Sequence, residues 1–211
     1  MQKPTEIFGK WAEEGKDVGM EKGHATSVKD MLNFALQERT NIGKNFSFLD
    51  LGCGNGWVAR NVAKNTLCAD AVGIDGAEQM ISKAKKIEGQ VEYILADINS
   101  YVTPRKFDLI HSMEVLYYLE DPAEKVKNFN NDWLEEEGRL IIGIDHYYEN
   151  LDSHSWEEKV GTPMLMLKEA EWLDIFYESG LSDVKSWRSN PCLLYTSDAA
   201  DEGLGVDLGG R

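Results

Sequence analysis

Gly52, Gly54 and Gly56 occupy three of five consecutive positions in "FLDLGCGNGW", directly after a run that a buried strand would use and before a segment of helical period. Glycine permits positive φ and leaves no Cβ between main chain and ligand. A helix N-terminus adds free N–H groups and the positive end of a dipole. The chemistry on offer is a cradle for a cofactor, and the plain alternative is a tight strand-to-helix turn. The dinucleotide fingerprint G-x-G-x-x-G requires glycine or alanine at position 57. Trp57 stands there, and an indole would spoil the close helix packing, so the spacing disfavours NAD and FAD. Asp75 closes "VGID". An acid at such a strand tip can accept hydrogen bonds from both ribose hydroxyls; taken singly it is as often a helix cap.

Elements that position these residues follow from periodicity. "FSFLDL", "AVGI", "VEYIL", "FDLIHS" and "RLIIGI" (46–51, 71–74, 91–95, 107–112, 139–144) are near-continuous apolar runs, as expected of strands covered on both faces. Between them, "VARNVAKN", "AEQMISKAKK" and "AEKVKNFNNDWL" place apolar residues three and four apart. The alternation predicts an α/β fold with a doubly wound, mostly parallel sheet. Ahead of it, Ser27 and Asp30 predict the start of a helix with Val28, Met31, Leu32 and Ala35 on one face. A long loop from 145 to about 166, a helix near 168–179 and a sixth strand at "SDVKSWRS" complete the reading.

"LDLGCGNG", "GIDGAEQMISKAKK", "YILADI" and "FDLIHSMEVLYYLEDP", in this order, resemble the class I S-adenosylmethionine-dependent methyltransferases over residues 46–145. The resemblance implies a Rossmann-like sheet of seven strands with an antiparallel last strand, and S-adenosyl-L-methionine lying over the strand tips. It implies that Asp50 and Gly52 sit by the amino-acid end of the cofactor, that Gly54 lies against its ribose and amino-acid portion with Gly56 also binding it, and that Asp75 with Gly76 meets the ribose. Asp97 and Ile98 would flank the adenine, and Ser112 and Met113 the methionyl side. The cofactor carries no phosphate but has a sulfonium and an ammonium, which acidic and aromatic neighbours suit.

Ligands of open α/β sheets bind beyond the carboxyl ends of the strands, so the acceptor is expected among "GKWAEEGKDVGMEKGHA", "SMEVLYYLED" and "DHYYENLDSHSWEEKVGTPM". Methyl transfer depends chiefly on alignment and needs a base only where the nucleophile arrives protonated. His146, two residues beyond Ile144, is the first candidate base, with His24 and Glu114 next; His111, inside the predicted fourth strand, is expected to be structural. Many relatives carry a histidine where Tyr118 stands in "VLYYL", so no base role transfers there. Trp11, Tyr117, Tyr147 and Trp156 are expected to bind substrate. Metal-dependent methyltransferases use an Asp after the fourth strand; this chain has "SMEV" there, and Asp145 has no evident second carboxylate, so no metal is expected.

The 211 residues are 42% hydrophobic and carry a net charge of −15. That charge repels phosphate backbones and anionic lipid, so nucleic acid and membrane are not expected as partners. A small-molecule acceptor, methylated on an O, N or C atom, is, with the chain a monomer or weak homodimer; the alternatives are a protein methyltransferase and a non-catalytic S-adenosylmethionine-binding module. Three cysteines without a CxxC pair argue against a disulfide framework or structural zinc, and with no apolar leader or spanning stretch in view a cytoplasmic location is expected. One methyltransferase domain is expected over 1–191, with 1–45 as a helical lid, 46–145 as the cofactor core and 146–191 as substrate loop, helix and sixth strand. The final stretch, "CLLYTSDAADEGLGVDLGGR" (192–211), resembles a translated transposase-based sequencing adapter. One reading frame yields residues 192–201 and, after an index-length gap, residues 205–211. The expectation is therefore a non-native tail, a C-terminally truncated domain and a missing seventh strand, whose place "LLYT" could take.

Overall fold

A computed structural model describes residues 1–189 and the backbone of 204–209. Strands β1 (Phe46–Leu51), β2 (Cys68–Asp75), β3 (Glu92–Leu95), β4 (Phe107–Met113), β5 (Leu134–Ile144), β6 (Ser182–Arg188) and β7 (Leu204–Gly209) form one sheet in the order 3-2-1-4-5-7-6. The five N-terminal strands are parallel, and β7 runs antiparallel to both β5 and β6. The helices are α1 (Pro4–Glu14), α2 (Asp17–Ile42), α3 (Trp57–Val62), α4 (Glu78–Lys85), α5 (Pro122–Asn128), α6 (Trp156–Val160) and α7 (Glu169–Glu178).

Both faces of the central strands are covered, which explains their unbroken apolar runs. Leu49, Leu51, Ile110 and Ile142 pack with Val126 of α5 and with Trp172 and Phe176 of α7. On the opposite face Phe48, Leu109 and Ile141 meet Val28 and Met31 of α2 and Val58 and Val62 of α3. Side chains alternate across a strand, so one strand feeds both layers.

Three boundaries differ from the sequence-based expectation by about five residues or more. The helix expected to begin at Ser27 is α2, which begins at Asp17; the expected face of Val28, Met31, Leu32 and Ala35 is buried as predicted. Gly19 and Gly23 weaken helix propensity over 17–26, but buried Asp17, tied to Lys83 of α4 at 2.6 Å, anchors that stretch. The helix expected over 123–134 stops at Asn128 and passes through a π-helical turn, Phe129–Trp133, that buries both its aromatic ends. Strand β5 then starts at Leu134 rather than Arg139. In the seventh position, "LLYT" lies outside the described residues, and the gap between β5 and β6 is filled by Leu204–Gly209 of the adapter-like stretch.

Strand order reverses between β1 and β4, the place where open α/β sheets open a crevice at the carboxyl ends. Asp50 and His111 lie directly opposite one another in the β1–β4 register. Among the described residues no helix is long and apolar enough to cross a membrane.

Candidate active site

The turn from β1 into α3 holds Gly52, Gly54 and Gly56 at φ of 68°, 53° and 78°, a region open to glycine and costly for other residues. Asp75 pins this turn. Its Oδ2 accepts from the Gly54 N–H at 2.9 Å and its Oδ1 from the Ala77 N–H at 2.8 Å. The carboxylate thus serves the start of α4, as a strand-end acid can, and also shapes the glycine loop. Burial pushes the Asp75 carboxyl up to about 6, against the pull of the Ala77 and Gly54 amides and with a further push from Asp50.

Above the strand tips lies a cavity of about 990 Å³. Asp50, Gly52, Gly54, Asp75, Gly76, Asp97, Ile98 and Met113, all expected at the cofactor, line it. A Cβ built on Gly54 would meet only Met80 Sδ, at 3.9 Å, so its main chain faces open space. Two expected cofactor residues are elsewhere. A Cβ on Gly56 would strike the Tyr93 ring, so this glycine serves packing under the loop. Ser112 is wholly buried, its hydroxyl donating to the Leu51 carbonyl at 3.0 Å across the β1–β4 ladder.

Helix α2, the loop after β4 and the tip of β5 bring three ionisable side chains together. His24 Nδ1 lies 2.6 Å from Glu114 Oε1. Glu114 has φ of 58°, an uncommon conformation for glutamate that persists where surroundings over-determine it and clusters at functional sites. Asp145 is buried, accepts from the Tyr117 hydroxyl at 3.1 Å, and is hydrogen-bonded to Glu114. Burial first, then the Glu114 charge, holds the Asp145 carboxyl well above the usual range; burial, then the Asp145 and Glu114 carboxylates, raise the Tyr117 phenol. Asp145 does have a second carboxylate, Glu114, and one ligand-type atom from each of His24, Glu114 and Asp145 fits within 4.8 Å of the others.

Trp11, Tyr117 and Trp156 line the cavity as expected, and so does Tyr118. Tyr147 does not: it is buried in the main core, with the Arg188 guanidinium 5.0 Å from its ring centroid. His146, the first candidate base, is also corrected. It is 1% exposed, its Nδ1 lies 3.1 Å from the Ser153 carbonyl, and Tyr117 and Trp156 pack on its ring at 5.3 and 6.3 Å. Those two aromatics face the cavity in its place, because neighbouring residues at a strand tip point to opposite sides and Asp145 takes the inward position. His146→Ala is expected to lower stability by about 2 kcal/mol, the scale for emptying a packed site, with turnover per folded molecule unchanged. Thermal denaturation beside a rate normalised to folded protein checks this.

The N-terminal helices close the cavity. Gln2 N–H donates to the Gly161 carbonyl at 3.2 Å, and the Thr162 hydroxyl to the Gln2 carbonyl at 2.9 Å. At the other end, Asn55 of the glycine loop donates to Asp17 at 3.0 Å and Glu21 at 3.3 Å. Phe8 packs edge-on to Tyr118 at 5.4 Å. Periodicity around the sheet motifs could not find Phe8, Asp17 or Glu21 on this wall; the only sequence signal was a glycine-rich stretch ahead of the first strand.

A family profile described as "Methyltransferase domain" matches residues 49–152. The chain is 27% identical to an (S)-coclaurine N-methyltransferase of Papaver somniferum over 163 residues, which is 71% of this chain and 46% of that protein. It is 32% identical to a malonyl-[acyl-carrier protein] O-methyltransferase of Halalkalibacterium halodurans over 117 residues, 51% of this chain and 43% of that one. The chain thus spans about half the length of the curated relatives it matches. Among solved structures, a chain from the complex of the Haloferax volcanii Trm112 methyltransferase activator with its methyltransferase partner superposes with a TM-score of 0.79, at 21% identity and full coverage of both chains. N-methyltransferase NodS from Bradyrhizobium japonicum, in complex with S-adenosyl-L-homocysteine, gives 0.67 at 21% identity, covering 90% of this chain and 88% of that one. The sheet order, the glycine turn and the strand-tip acid give the chain the Rossmann-like methyltransferase fold, and residues 49–152 carry the match to the methyltransferase domain.

Proposed function

We propose that the protein transfers a methyl group from S-adenosylmethionine to the nitrogen of a small-molecule amine, with His24 as the base that accepts the amine's proton. The carrying observation is the acceptor wall. Glu114 and Asp145 meet Tyr117, Tyr118 and Trp156 there, and Lys3 and Lys159 are the only lysines or arginines lining the cavity among the described residues. An acidic, aromatic enclosure favours a cationic guest, and the closing helices favour a small one over a protein.

The chain's own groups fit the cofactor. Gly54 offers bare main chain to open space, Asp75 retains lone pairs for ribose hydroxyls beyond its two amide bonds, and a cofactor without phosphate needs no cationic cradle. Bound there, S-adenosylmethionine supplies an electrophilic methyl group on a sulfonium. His24 directs Nδ1–H at Glu114, which leaves Nε2 as the proton acceptor. Glu114 is held in turn by Asp145, which Tyr117 orients. When the acceptor nitrogen takes up the methyl that the sulfonium would release, its proton would pass to His24 Nε2. Incubation with labelled cofactor and matched panels of amines, phenols and carboxylates tests the reading; label confined to phenols or carboxylates would sink the amine assignment.

A second reading has its own observation. His24, Glu114 and Asp145 have the donor types and proximity for a divalent cation, which would orient an oxygen acceptor instead. Activity on phenols that requires added magnesium, against amine activity indifferent to chelator, separates the two.

Cofactor affinity should depend on pH through Asp75. Its carboxyl, raised to about 6 in the fold, binds a proton there that the unfolded chain does not. Its contribution to stability is present below the unfolded value and is lost as pH rises through about 6. Ribose hydroxyls need the ionised form as acceptor. Affinity for S-adenosylhomocysteine is therefore expected to fall about tenfold from pH 7 to pH 5, with the slope absent in Asp75→Asn by calorimetry.

A further inference from the structure

The face that α2 turns inward changes character along the helix. From Val28 onward it is apolar and fixed, with Val28, Met31, Leu32 and Ala35 buried in the core. Ahead of Ser27 the covered positions include Asp17, Met20, Glu21 and His24. These have the i, i+3, i+4, i+7 spacing of one helix face, and all four line the cavity. A face this polar gains little from leaving water, and Gly19 and Gly23 lower its helix propensity. Polar contacts hold it instead. Lys83 of α4 meets Asp17 at 2.6 Å, and Glu114 meets His24 at 2.6 Å. The third contact comes from the glycine turn.

Asn55, between Gly54 and Gly56, is buried. Its Oδ1 accepts from the Trp57 N–H at 3.2 Å, a local bond that an aspartate would make as well. Its Nδ2 does what an aspartate cannot. It donates to Asp17 Oδ2 at 3.0 Å and to Glu21 Oε2 at 3.3 Å. A side-chain amide carries two N–H donors, and here they meet two carboxylates one helical turn apart, with His24 on the next turn of the same face. We infer that Asn55 is a positioning residue: its amide clasps the first turns of α2 to the glycine turn and so sets the place of His24 relative to the methyl donor. This rests on the reading of His24 as the base and adds to it the residue that aligns the base with the cofactor. Closing the N-terminal helices and installing the base then become one event, because Asp17, Glu21 and His24 travel on the same two turns.

Asn55→Asp is the variant that tests it. The substitution keeps the volume and the acceptor for Trp57, and sets a third carboxylate against Asp17 and Glu21. Its kcat, toward the amine that labels best in the panel above, is expected to fall by about 10–10²-fold, the scale of a small misplacement. Affinity for S-adenosylhomocysteine by calorimetry should stay within a few-fold of wild type. In a His24→Ala background the same substitution should change kcat little, since both act through one group. The triple variant Asn55→Asp, Asp17→Asn, Glu21→Gln exchanges donors and acceptors across the same contact and should recover most of the lost rate. Ring NMR follows His24 without any acceptor: its signal, identified by its loss in His24→Ala, should shift in Asn55→Asp and return in the triple variant. Wild-type kcat in Asn55→Asp, rate and affinity falling together, an undiminished loss in the His24→Ala background, an unmoved His24 signal, or no recovery in the triple variant each overturns the inference. Wild-type protein supplies a check that needs no variant to fold. S-adenosylhomocysteine should slow amide exchange over residues 17–26 and leave residues 28–36 nearly unchanged; exchange over 17–26 that ignores it overturns the proposal. A panel in which no amine is labelled, or wild-type turnover in His24→Ala, refutes the base reading itself, a different result from any of these.

Discussion

His24→Ala is expected to lower kcat by about 10²–10⁴-fold, the usual range for loss of a positioned base, while affinity for S-adenosylhomocysteine changes little. The split follows from geometry. His24 projects from α2 onto Glu114 at 2.6 Å, whereas the residues nearest the cofactor loop, Gly54 and Asp75, are held by their own bonds across the β1 and β2 tips. Removing the imidazole leaves the loop intact and deletes the ring nitrogen that the Glu114 contact orients on this wall. Glu114→Gln should act in the same direction with a smaller loss, since the amide keeps the volume but gives up the charge that fixes the His24 tautomer. Single-turnover rates beside calorimetric affinities measure both. Should affinity fall in step with the rate, the His24–Glu114 pair belongs to the cofactor and not to the acceptor. A rate equal to wild type would leave alignment as the whole of the catalysis.

Gly54→Val is expected to weaken S-adenosylhomocysteine binding beyond calorimetric detection without unfolding the protein. Gly54 has φ of 53°, so a β-branched residue costs about 1–3 kcal/mol of backbone strain. A fold of this size can absorb that loss. The Cβ itself meets nothing nearer than Met80 Sδ at 3.9 Å, and both γ-methyl groups then project into the space a ligand must use. Gly56→Val makes the contrast. There a Cβ runs into the Tyr93 ring, so stability falls first. Near-normal affinity in a folded Gly54→Val protein would move the cofactor away from this loop.

β7 illustrates a limit of a different kind. A β-ladder is made by main-chain N–H and C=O groups, so residues 204–209 can pair with β5 and β6 whatever the origin of their side chains. Reopening the gap would expose both strand edges. That is why a stretch read as a translated adapter can still occupy the seventh position.

Local pattern was sufficient for the frame. Unbroken apolar runs marked the parallel strands because both faces are covered, and the glycine turn with Asp75 marked the cofactor side because its geometry is confined to one strand, one turn and the neighbouring strand tip. The acceptor side was not legible in the same way. Asp145 lacked a second carboxylate in the sequence because Glu114 is 31 positions away and His24 lies further still; only the strand order, by placing β4 beside β5 and α2 over their ends, brings them within contact. The same holds for His146, whose neighbour Asp145 faces inward while His146 turns behind Tyr117 and Trp156, a matter of one residue's phase at a strand tip. His111 was legible as a strand residue but not as the partner of Asp50, since register between non-consecutive strands is set by packing across the whole sheet. Sequence by itself thus determined the elements and the glycine turn, where the physics is local, and tertiary structure decided which charged groups meet, because pairing over long separations exists only once the sheet has assembled.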